Sequence, residues 1–258
     1  MSNINGFDNE FEFVKYLNGK QIRELNPMMR ELIDELYPNF DDDSIIKCWR
    51  NHYKQKSDIF IRINGLMKGV SIKKGIKNSV HAESVGSFIR FLRENRVDDA
   101  IINEYLKYHY ADGSIDGTGL ERMSAEKYKI NNQDSIDEIN IAFNEQKLLE
   151  AAVRRFIIKG TNSIYCIDAL IYGEVDNFVW VTKDDIVNMI LLKKDIYSTA
   201  VHFGPMTCQP KARCLNRNYK YEQDRFFIQI KWYSLFDDIF EYINSNVKNA
   251  SDITYQKK

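Results

Sequence analysis

The chain has 258 residues, of which 44% are apolar and 13% aromatic, enough for a substantial core and unlike a disordered composition. A net charge of −1 argues against a uniformly basic nucleic-acid coat, and no apolar run approaches the roughly 18 residues that cross a bilayer. Residues 1–10 lack the basic start and apolar stretch of a signal peptide, and the four cysteines form no CxxC pair, so a cytoplasmic protein with reduced thiols and no membrane partner is expected.

In chain order, residues 9–37 read as helix with a break at Asn18-Gly19 and a second start at Asn26-Pro27, where asparagine caps and proline takes the first position. A short strand is expected at Ile45 to Trp49. Stronger strands run from Asp58 to Ile63 and from Gly69 to Lys73, and Asn64-Gly65 between them is a hairpin-turn dipeptide. Ser79 to Asn95 and Val97 to Tyr110 have helical spacing, as do a segment from Ser124 and another from Ser135 to Ile158. Strands are expected at Ser163 to Tyr172, Phe178 to Val181, Ala200 to Thr207 and Arg225 to Trp232, with a helix near Lys183 and a last one over Leu235 to Ile243. The class is mixed α/β.

Charge is segregated along the chain. Residues 47–77 hold nine bases and one acid, Asp58, a local charge of +8; residues 211–231 carry six bases and two acids, +4. Segregation of this kind suggests a basic face that meets a polyanion; solvated loops are the alternative.

Chemistry concentrates on the hairpin. Side chains alternate along a strand, so Ser71 and Lys73 share one face while Val70 and Ile72 share the other, the natural core face. Asp58 opens the neighbouring strand, and a tight hairpin brings its carboxylate beside them. Phosphodiester hydrolysis needs a divalent cation with oxygen ligands and a group that orients water and offsets charge. Asp58, the carbonyl of Ile72 and Lys73 can supply those roles. An ordinary surface hairpin facing water is the alternative.

The pattern Asp58…Ser71-Ile72-Lys73 resembles the signature of the PD-(D/E)xK nuclease superfamily, most closely the Ser-x-Lys variant of some type II restriction endonucleases. It departs from the nominal pattern in having Ser57 where a proline is expected. The resemblance covers residues 26–95 and implies a restriction-endonuclease-like core: a central mixed β-sheet flanked by helices, extended by helical material at 97–160 and an α/β region at 161–258 within one domain. It implies a Mg²⁺-dependent endodeoxyribonuclease (Mn²⁺ being the alternative ion) of restriction or defence type, a homodimer with a cognate methyltransferase as partner.

The resemblance also implies that the second acid lies on the following helix, where Glu83 stands ten residues after Lys73. Asp58, Ser71, Lys73 and Glu83 are then the catalytic set, and Asp58, Ile72 and Glu83 the metal set. An N-terminal helix of such enzymes often adds a carboxylate, for which Glu31, one turn from Glu35, is the candidate. A helix N-terminus beside a glycine loop suits phosphate, which points to Lys74, Lys77 and Asn78. The segment Gln209 to Tyr221 offers Arg213, Arg217 and Lys220 as further DNA contacts. A DNA-binding or complex-forming protein with a degraded site is the second reading, because Ser71 replaces the strand carboxylate.

Overall fold

The computed structural model describes residues 2–53, 55–75, 78–161, 164–194, 198–217 and 220–246, without the side chains of 2–7 and 246. Its elements are α1 (Ser2–Leu17), α2 (Pro27–Leu36), β1 (Lys47–Arg50), β2 (Ile59–Ile63), β3 (Leu66–Lys73), β4 (Asn78–Ser84), α3 (Val85–Glu94), α4 (Asp99–Tyr110), α5 (Ala125–Asn131), α6 (Gln133–Phe143) and α7 (Gln146–Val153). They continue with β5 (Ala169–Glu174), β6 (Asn177–Thr182), α8 (Lys183–Leu191), β7 (His202–Phe203), β8 (Met206–Pro210), β9 (Phe227–Trp232) and α9 (Leu235–Asn246).

Two sheets organise these elements. The larger has the order β1-β2-β3-β5-β6, and only its β3–β5 pair is parallel; the smaller has the order β4-β9-β8-β7 and is antiparallel. A parallel pair needs a crossover, and here the crossover is the whole stretch from β4 to α7. The expected mixed sheet flanked by helices is therefore present. No helix among the described residues is long and apolar enough to cross a membrane.

Alternation on the larger sheet creates two cores. Ile59, Ile61, Ile63, Val70, Ile72, Ala169 and Ile171 point one way and pack under Phe13 and Leu17 of α1 and Met29, Leu32, Ile33 and Leu36 of α2. Leu170, Val179 and Val181 point the other way into a second core, shared with α3, α4, α6, α7, α8 and the inner face of the smaller sheet. Phe88 is central to that core, with Tyr105 at 5.0 Å and Phe143, Phe203 and Phe156 at 6.0, 6.1 and 6.2 Å between ring centroids.

Several boundaries differ from expectation. Residues 79–84 form strand β4, not the first turns of a helix, because β9 supplies a partner about 150 residues away (Ser79 opposite Lys231, Ser84 opposite Phe227). The helix expected over 135–158 divides at Asn144, whose side chain accepts from Gly204 N–H at 2.6 Å and donates to the His202 carbonyl at 3.1 Å. A π-helical turn, Arg154–Lys159, then ends that segment. The strand expected from Ser163 begins only at Ala169.

Phe88→Ala should destabilise the protein by about 3–5 kcal/mol, since it removes a wholly buried ring from a close-packed cluster. Urea unfolding measures this, and a loss below about 1 kcal/mol would mean that the cluster is not packed as described.

Candidate active site

The β2–β3 hairpin closes through Asn64 (φ 46°) and Gly65 (φ 89°), the left-handed pair that a two-residue turn requires. Its register places Ile59 opposite Val70, and Asp58 N–H donates to the Val70 carbonyl at 2.8 Å. Asp58 therefore stands beside Ser71, on the sheet face opposite α1 and α2. Its Oδ2 accepts three hydrogen bonds: from Ser71 Oγ (2.9 Å), Ile72 N–H (2.6 Å) and Lys73 Nζ (3.1 Å). Oδ1 takes part in none of them. Lys73 Nζ also reaches the Ile72 carbonyl at 3.2 Å. The expected trio thus meets at one point, and about a fifth of each charged side chain is exposed (21% for Asp58, 23% for Lys73).

Two residues that the sequence reading passed over complete the cluster. Glu10 of α1 pairs with Arg50 at 3.2 Å. Burial holds the Glu10 carboxyl above its ordinary range, and the charge of Asp58 raises it further, against the pull of Arg50 and Lys73. Asn9 Nδ2 ties this turn of α1 to the Gly173 carbonyl at 2.8 Å, at the end of β5 beside Lys73. Nothing in the sequence separates Glu10 from its neighbour Glu12.

Lys56 is the second. Its Nζ donates to the Val80 carbonyl at 2.5 Å and to His81 Nδ1 at 3.2 Å. Burial brings its pKa down to about 7, with help from the charge of Lys73; Asp58 and Glu83 oppose the shift. The Val80 carbonyl is available because β4 bulges there: the register shifts between Ser79 and His81, and consecutive residues Val80 and His81 are both buried.

Glu83 is corrected on two counts. It lies on β4 and not on a helix, and its carboxylate is held by Arg155, with Nε to Oε1 at 2.9 Å and Nη2 to Oε2 at 2.6 Å. His81 Nε2 stands 3.1 Å from Oε1, within ion-pair range but out of line for a full hydrogen bond. Burial alone would raise the Glu83 carboxyl; contacts with His81, Arg155 and Ser87 outweigh it and bring the pKa to about 2. Lys56, and not this carboxylate, is the group that couples to Asp58 and Lys73.

The other expected positions separate. Glu31 is exposed on α2, and the helix carboxylate coupled to Asp58 is Glu10. Lys74 pairs with Glu174, and Asn78 is buried with its amide donated to the Gly75 carbonyl at 2.9 Å. Lys77 lies outside the described residues. Arg213 is turned inward, donating to the Tyr108 carbonyl at 2.9 Å and stacking over the Tyr108 ring. Arg217 donates to the Gly119 carbonyl, and exposed Lys220 lies over Tyr221. Of these six, Arg217 and Lys220 keep exposed charges free of a carboxylate partner among the described residues.

The described residues contain no group of three or more His, Cys, Asp or Glu side chains able to hold a metal. A surface hollow of about 710 Å³ lined by Asp41, Asp43, Lys47 and Arg62 shares no residue with the Asp58 cluster.

No family model and no curated protein sequence matches this chain. Among solved structures it is similar to the restriction endonuclease MspI in complex with its cognate DNA, with a TM-score of 0.58 and 16% identity over 89% of this chain and 91% of that one. The likeness is one of fold: the chain has a restriction-endonuclease-like α/β architecture.

Glu83→Gln leaves Arg155 without its counter-charge and should cost about 3–5 kcal/mol at pH 6. A carboxyl lowered from 4.5 to about 2 by folding stabilises the protein above pH 4.5, and that share is lost as pH falls toward 2. Urea unfolding at pH 6 and pH 3 should therefore show a larger acid loss in wild type than in the variant. Equal losses would remove the ion pair from the account.

Proposed function

We propose that this chain is a metal-dependent endodeoxyribonuclease, with Asp58, Ser71 and Lys73 at the reacting phosphate. The observation that carries the reading is the convergence of Ser71 Oγ, Ile72 N–H and Lys73 Nζ on Asp58 Oδ2. In it the DNA-bound neighbour of the same fold adds support for DNA as substrate.

The donor chemistry fits a hard divalent cation. Asp58 Oδ1, the Ile72 carbonyl and the Glu10 carboxylate are all oxygen donors, the type that Mg²⁺ selects while retaining waters. The raised Glu10 pKa reports burial and repulsion from Asp58, a situation that a cation between the two relieves. Glu10 here takes the place first expected of Glu31 and Glu83. When bound, Mg²⁺ (or Mn²⁺) would polarise the phosphate and lower the pKa of an attacking water.

The chain's own groups do the remaining work. Ser71 and the Ile72 amide fix the Asp58 carboxylate so that Oδ1 stays outward. Lys73, held between Asp58 and the Ile72 carbonyl, is placed to orient the water and to offset charge gathering on the phosphate. Lys56 adds a second cation behind them. In a restriction setting the host would need a methyltransferase to protect its own sites, and cutting two strands suits a two-fold dimer.

Nicking of supercoiled plasmid with Mg²⁺ tests the proposal. Asp58→Ala and Lys73→Ala should each lower the rate by roughly 10³-fold, and Glu10→Gln by roughly 10²-fold, in line with loss of charged groups from a reacting centre. Glu31→Gln should match wild type. An Asp58→Ala variant as active as wild type would rule the reading out. The second reading, a DNA-binding protein with a degraded site, is favoured by Ser71 standing where a carboxylate is usual; it requires DNA affinity without cleavage in either metal.

A further inference from the structure

The smaller sheet turns one face to the second core and the other to solvent. The bulge at Val80 restores alternation so that Ser79, Ala82 and Ser84 point outward from β4 while His81 and Glu83 point in. Register then builds three outward rows across β4, β9 and β8: Ser79, Lys231 and Thr207; Ala82, Gln229 and Gln209; Ser84, Phe227 and, just past β8, Lys211.

The composition of this face is one-sided. No strand residue pointing outward is acidic, although the whole chain has one more acid than base. Asp224 meets Lys211 at the rim, at 2.9 Å. Lys231 has no carboxylate partner among the described residues and extends over the Tyr233 ring at 5.7 Å. Gln229 Nε2 donates to Ser79 Oγ at 2.9 Å, which holds its amide upright on the face. Short side chains on β4 and long polar ones on β9 form a shelf with a row of donors behind it.

The shelf is continuous with the candidate site. β4 follows catalytic strand β3 in the chain, and its free edge offers the Val80 carbonyl to Lys56, which couples to Asp58 and Lys73. Rows two residues apart are about 6.8 Å apart, the length of two base-pair steps. Three strands span roughly 10 Å, near the width of a B-DNA major groove.

We infer that the outward face of β4, β9 and β8 docks duplex DNA beside the reacting phosphate, with Gln229 and Lys231 directed at base edges. The inference rests on the nuclease reading. Glutamine pairs with the adenine edge and lysine with that of guanine, so purine edges in the major groove are the chemistry this face recognises.

The test measures binding of a fluorescent mixed-sequence duplex in EDTA between 50 and 200 mM KCl. Lys211→Glu/Lys231→Glu should weaken affinity at least tenfold and flatten the slope of log affinity against log salt by about 2, at roughly 0.9 per lost phosphate contact. Lys127→Glu/Lys147→Glu, the same charge change on α5 and α7, should stay within twofold of wild type. Thr207→Ala/Gln229→Ala keeps the charge and covers misfolding; it should redistribute the plasmid cut positions read by end sequencing. Sheet-face variants that bind and cut like wild type overturn the docking surface and leave the nuclease reading intact. Wild type that binds without cleaving, with binding lost in the sheet-face pair, sinks the nuclease reading and supports the surface. A dimer in sedimentation that the pair dissociates, with DNA affinity unchanged, makes the face a self-interface and overturns the proposal.

Discussion

The hydrogen bonds that gather on Asp58 Oδ2 exist because of a register. With Asn64 and Gly65 at the turn, Ile59 lies opposite Val70, and the residue before Ile59 meets the residue after Val70. A slip of one residue would send Ser71 and Lys73 toward α1 and α2 and bring Val70 and Ile72 to the site. The apolar face prevents that slip: Ile59, Ile61, Val70 and Ile72 are all buried in the N-terminal core. Packing on one side of the sheet thereby holds the chemistry on the other.

That geometry needs support from outside the hairpin. Gly69 admits Ser57 to its side, where a Cβ would stand 2.3 Å from Ser57 Oγ, and its N–H donates to Asp168 Oδ2 at 3.0 Å. The approach to Asp58 is thus braced by β3 itself. Behind it, Lys56, His81, Glu83 and Arg155 form a buried polar chain that links the hairpin to β4 and to the π-helical turn. Each member neutralises or satisfies the next, which is the condition under which buried charge is tolerable. The chain joins the two sheets through a carbonyl that only a bulge could release.

The acids and bases of the larger loops serve structure more than surface. Arg225 is buried with Asp112 at 3.0 Å, and Arg122 is clamped to Glu222. Together with Arg213 over Tyr108, they brace the segment 211–226 against the loop after α4. Much of the +4 window is consumed in this way, which moves the open positive charge to Lys231 on the sheet face and to Arg217 and Lys220.

Local pattern in the sequence was sufficient for the hairpin, the Pro27 helix, the mixed class and the trio Asp58, Ser71 and Lys73, because period-two alternation and a two-residue turn act over neighbours in the chain. It could not reveal that residues 79–84 pair with β9, that Glu83 belongs to Arg155, or that Glu10 and not Glu31 stands by Asp58. Those facts depend on partners 70 to 150 positions apart or on which end of a helix lies over a strand end. Strand choice for a segment such as Asn78–Ser84 is made by the neighbour it finds, and the fate of a charge by the groups that folding brings to it.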